Sequence, residues 1–145
     1  MENNGNTPDK AKASPSAKIG AVGALIVILV VTVLEFPPPI GFETRPQTDV
    51  SFFWLFFFLA ILITEIAAVP LILKRPSLGW KFGVAAGVLN ILQVVADQAH
   101  LMQPEVAPLS YSALEAIVVI ASLALIYFSW KLRAGELRRL GVVPG

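Results

Sequence analysis

At 145 residues, 56% of them hydrophobic and only 14% charged, the chain is too apolar for a soluble domain, where roughly 25% of residues carry charge. It is expected to form one membrane domain with no second folded unit beside it, and its net charge of +1 offers no bulk attraction to nucleic acid. The lack of cysteine excludes thiol–disulfide exchange, iron–sulfur clusters, thiolate zinc and covalent c-type haem, and a single histidine excludes bis-histidine haem within one protomer.

Residues 1–18 are rich in Asn, Pro, Ser and Lys and hold too little apolar surface to bury, so they are expected to be a disordered leader. Four apolar blocks follow, each near the ~20 residues that a ~30 Å hydrocarbon core requires. The first, about 19–36 (IGAVGALIVILVVTVLEF), begins after a long polar leader and ends in EFPPP without a small-residue cleavage pattern. That favours a retained signal anchor over a cleaved signal peptide. Prolines 37–39 form a stiff extended element without backbone donors.

The second block, about 50–73, carries Phe52, Phe53, Trp54, Phe56, Phe57 and Phe58 in one half, then Thr64 and Glu65. These rings suit the membrane interface. They are expected to face lipid or neighbouring helices, the other reading being a shelf for an aromatic ligand. Pro70 is expected to kink this helix and free a carbonyl near Glu65.

The third block, about 78–101, repeats Gly79, Gly83 and Gly87 every four residues, a small-residue pattern that lets two backbones approach closely. Packing inside one bundle is the expected use, with Gly20 and Ala24 of the first block as the mating surface. A homodimer contact is the alternative. The block ends in NILQVVADQAH, where Asn90, Gln93, Asp97 and His100 fall at steps of three, four and three and so share one arc of a helix. The fourth block, about 109–130, aligns Ser112, Glu115, Ser122 and Ser129, and a basic tail occupies 133–145. That tail reads as an orientation signal and a contact for anionic lipid.

Ten of the eleven basic residues lie in the leader (Lys10, Lys12, Lys18), around the second connection (Lys74, Arg75, Lys81) and after the last block (Lys131, Arg133, Arg138, Arg139). The connections 37–49 and 102–108 hold only Arg45. The positive-inside rule therefore gives an all-α, antiparallel four-helix bundle with both termini cytoplasmic. The expected location is the prokaryotic plasma membrane.

Ionisable side chains at membrane depth cost at least about 2.5 kcal/mol each on insertion scales, so they turn toward the bundle interior and toward each other. A rise of about 1.5 Å per residue then sets which residues share a level. Glu65 comes level with Asn90 as a deep pair. Glu115 meets Asp97 and Gln93 nearer the outer surface, where Glu35 and His100 close the rim. Carboxyl groups held together in low dielectric can exchange protons as ligands change. The bland alternative is interhelical hydrogen-bond glue. No metal is expected, because the Glu-x-x-His ligand pair of di-iron bundles is missing, and no cofactor is expected either.

The segment ITEIAAVPLILKRPSLGWKFGVAAGVLNILQVVADQAHL, residues 63–101, resembles the middle of DoxX-like four-helix membrane proteins. The shared order is a second helix with a Glu, a short basic turn containing proline, and a small-residue-rich third helix ending in His-Leu. The resemblance implies the four-helix fold and, for some members, association with quinone-linked redox subunits.

Three functional classes follow. The first is a protein with an outward-facing intramembrane polar pocket, formed by Asn90, Gln93, Asp97, His100, Glu115, Glu35 and Glu65. It would bind a small hydrophobic ligand or serve as an accessory subunit of a quinone-linked redox complex. The second is a proton-coupled transporter of small molecules acting as a dimer. An enzyme using Glu, Asp and His as acid–base groups fits least, for want of any reaction-specific motif. The expected partners are the bilayer, a small hydrophobic ligand, and a second copy or a larger membrane complex.

Overall fold

The computed structural model describes residues 14–35, 52–102 and 109–140. These form four helices: α1 (Pro15–Glu35), α2 (Phe52–Lys74), α3 (Pro76–Gln98) and α4 (Leu109–Arg139). No strand occurs among the described residues. Each helix is long and apolar enough to cross a membrane, which makes the chain a multi-pass four-helix bundle. The expectations for the leader up to residue 13, for prolines 37–39, for Arg45 and for the side chain of Glu35 lie outside the described residues.

The helix ends follow local chemistry. Pro15 occupies the first helical position of α1, where a missing N–H costs nothing, and the Ser14 carbonyl accepts from the N–H groups of Ala17 (3.0 Å) and Lys18 (3.3 Å). Pro76 bars its predecessor from helical geometry, so a single residue, Arg75 (φ −135°, ψ 70°), separates α2 from α3. Pro70 lies within α2, which continues through it. The fourth helix runs past the expected end at 130 to Arg139, and Leu132 beyond that point is fully buried. The stretch KLRAGELRR is built largely from good helix formers, so leaving the apolar block does not end the helix.

Each helix buries one stripe. On α1 it is Ala17, Ala21, Leu25, Ile28 and Val31, at helical steps of three and four. On α2 it is Ile61, Glu65, Ala68 and Ile72, so a carboxyl group sits in an otherwise apolar row. Yet the opposite faces are also apolar, with Ile19, Val33, Phe53, Phe56, Ile120 and Leu123 exposed. Helices hydrophobic all round match a lipid surround, not water. The rings of Phe53, Trp54 and Phe57 pack on one another along α2 itself.

α4 packs against α1 and α3, α3 also packs against α2, and the α1–α2 contact is thinner. The glycine spacing reads correctly as close approach, but the partners differ from expectation. Gly83 and Gly87 face Ser129, Ser122 and Ile126 of α4, whereas Gly79 abuts the α2 backbone, where an added Cβ would stand 2.5 Å from the Ile72 Cα. Gly20 does not meet α3 either: it stands against the ring of Phe128 in α4. Helical spacing identifies a close-packing face without naming the helix that fills it.

Candidate functional site

Glu65 and Asn90 form the deep pair that the depth argument anticipates. The Asn90 amide donates from Nδ2 to Glu65 Oε1 at 2.6 Å and to the Ala86 carbonyl of its own helix at 2.9 Å. Glu65 is 0% exposed and Asn90 1%. The second Glu65 oxygen, Oε2, is buried with no hydrogen-bond partner, and so are the hydroxyls of Ser122 and Ser129. Buried polar atoms are normally satisfied, which sets these three apart from the rest of the interior. Thr64 is not among them, because its hydroxyl donates to the Ala60 carbonyl one turn back at 2.7 Å.

The second polar group lies where α3 ends and α4 begins. Asp97 is 8% exposed and Glu115 4%. Gln98 donates from Nε2 to Glu115 Oε2 across the two helices, which joins them at this level. Gln93 is half-buried one turn before Asp97. On α4, Glu115, Ser122 and Ser129 recur every seven residues, two helical turns apart, and all three are buried on the face turned to the bundle. Ser112 is half-buried. Sequence reasoning missed Gln98, since it stands about 100° around the helix from Asp97 and outside the stripe. No sequence signal marked it, because the apolar block runs on to 101 and only the helix end at Gln98 reveals its place beside Glu115.

His100 departs from the expected stripe. The helix ends at Gln98, and the chain closes with His100 N–H to the Asp97 carbonyl (2.9 Å) and Leu101 N–H to the Ala96 carbonyl (3.0 Å). His100 takes the left-handed position of this cap with φ 57°, which glycine usually fills. The reversal lifts His100 off the arc shared by Asn90, Gln93 and Asp97 and leaves it exposed just beyond the C-terminal end of α3.

A groove of about 390 Å³ opens between α1 and α4, lined by Gly23, Ala24, Val27, Ile117, Ile120 and Phe128 among others. Its lining is apolar and includes none of the polar residues above. Among the described residues no three His, Asp or Glu side chains gather as a metal-binding group. The polar elements of the bundle offer hydrogen-bond donors and acceptors. The chain matches no protein-family model, no curated protein and no solved structure.

Proposed function

We propose that this membrane protein is an antiparallel bundle with both termini in the cytoplasm, and that it binds a small hydrophobic ligand with a polar head at the outer ends of α3 and α4. The orientation rests on the basic residues, ten of eleven of which fall on one side. Contacts support the antiparallel arrangement: Lys18 near the start of α1 reaches the Leu73 carbonyl near the end of α2 at 3.3 Å, and Gly20 meets Phe128 late in α4.

The observation that carries the ligand reading is the burial of two carboxyl groups, Asp97 and Glu115, at one level, with Gln98 bridging to Glu115. Buried acids in a membrane helix normally mark a ligand or proton site. Gln93 and His100 extend the polar surface inward and outward, and Glu35 belongs to the same rim in this reading. The resemblance of residues 63–101 to DoxX-like proteins favours a quinone-like head, bound either by the chain alone or by a larger complex in which it is an accessory subunit. The prokaryotic plasma membrane is the setting that fits such a complex.

The test is saturable binding of a short-chain benzoquinone by the purified full chain. Asp97→Asn combined with Glu115→Gln should weaken it about tenfold or more, as loss of hydrogen bonds to charged groups does, while Glu65→Gln leaves it unchanged. Absence of saturable binding, or equal binding by the double variant, contradicts the reading. A second reading, proton-coupled transport by a dimer, is favoured by the unpartnered oxygens of Glu65, Ser122 and Ser129 along the interior. Flux into vesicles driven by a pH gradient, abolished by Glu65→Gln, would select it.

A further inference from the structure

The opposite ends of α3 and α4 hold a second chemistry. Trp80 follows the α2–α3 break by one turn, and Trp130 lies where α4 leaves its apolar block. Both indoles address one guanidinium: Arg133 Cζ lies 5.1 Å from the Trp80 ring centre and 4.6 Å from that of Trp130. Lys81 Nζ stands 5.8 Å from the same Trp80 ring, and Lys131 Nζ 4.7 Å from the Tyr127 ring. None of these three cations pairs with a carboxylate among the described residues. Glu136, one turn beyond Arg133, makes no ion pair with it.

A ring held against a guanidinium by cation–π attraction takes up none of its N–H donors. Those donors lie in one plane and match two oxygens of a phosphate. The rings also fix the depth, since indoles settle where hydrocarbon meets headgroup. Leu78, Phe82 and Tyr127 are exposed on the same ends of the two helices, giving apolar surface for acyl chains. A preorganised cation without a counter-charge among the described residues, at headgroup depth, calls for an anion, and phospholipid supplies one there.

We propose that Arg133, held by Trp80 and Trp130 with Lys81 and Lys131 beside it, binds the phosphate headgroup of an anionic phospholipid. The site lies at the far ends of α3 and α4 from Glu115 and does not rest on the ligand reading above. It is also more specific than charge attraction to a basic tail, because the rings select one arginine.

The experiment uses the full chain in neutral detergent, titrated with phosphatidylglycerol, with phosphatidylcholine of the same acyl chains, and with inorganic phosphate, with retention read by native mass spectrometry. Phosphatidylglycerol should be held at least tenfold more tightly than phosphatidylcholine. Arg133→Gln should lose about tenfold of that affinity, whereas Arg138→Gln, which removes the same charge from the same helix away from the rings, should lose less than about threefold. Arg133→Lys preserves charge and folding and should still lose about threefold, because an ammonium lacks the planar fork. Equal losses in the Arg133 and Arg138 variants, an unchanged Arg133→Lys, or no lipid-class preference in the wild type would overturn the proposal. Displacement of the lipid by millimolar inorganic phosphate would overturn it in favour of a soluble anion.

Discussion

Both amide hydrogens of Asn90 are committed, one to Glu65 and one to Ala86, while Glu65 accepts on one oxygen only. Replacing Glu65 by Gln keeps that acceptor and should cost little. Glu65→Leu strands one amide hydrogen and should cost about 1 kcal/mol in reversible unfolding in detergent. Equal losses from the two substitutions would remove Asn90 as the reason for the glutamate. At His100 the backbone works against its residue, since a left-handed φ of 57° disfavours any side chain with a Cβ. His100→Gly should therefore raise stability by about 1 kcal/mol. If the histidine contributes to the outer site, the same variant should bind the benzoquinone less tightly; a fall in stability would show that the side chain itself holds the cap. This position was hard to read from sequence, because ADQAHL carries no glycine or asparagine at the cap and an unbroken helical arc placed His100 on the stripe.

Between elements, the α3–α4 seam depends on the absence of a side chain at Gly83, where an added Cβ would collide with the Ser129 hydroxyl. Gly83→Ala should cost about 1–3 kcal/mol, as overpacking does. Gly23 has open space around its Cα, and Gly23→Ala should gain about 0.5–1 kcal/mol from helix propensity. Removing the colliding hydroxyl in Gly83→Ala with Ser129→Ala should restore much of the loss, a coupling that denaturation of the four proteins of the cycle would measure. Additive effects would place the two residues apart. The close-packing face was legible from the four-residue glycine spacing, and the buried face of α4 from Glu115, Ser122 and Ser129. Which helix met which face was not, because several bundles satisfy the same periodicity. The extension of α4 to Arg139 was missed because hydropathy ends at the headgroups whereas backbone hydrogen bonding does not.

For the whole molecule, composition and block length made four membrane-crossing helices legible, and the depth argument paired Glu65 with Asn90 correctly. In the proposed orientation the polar cluster of α3 and α4 opens to the outer side while the basic ends of the bundle face the cytoplasm. The chain has no cysteine, so single cysteines can be placed without background. The most direct measurement is labelling of Gln93→Cys, His100→Cys and Arg138→Cys by a membrane-impermeant thiol reagent in intact cells. The expected result is reaction at His100 and, through the polar cluster, at Gln93, with Arg138 reacting only after permeabilisation. Reaction at Arg138 in intact cells would invert the orientation, and a Gln93 cysteine that stays unreactive while His100 labels would show that no aqueous path enters between the helices.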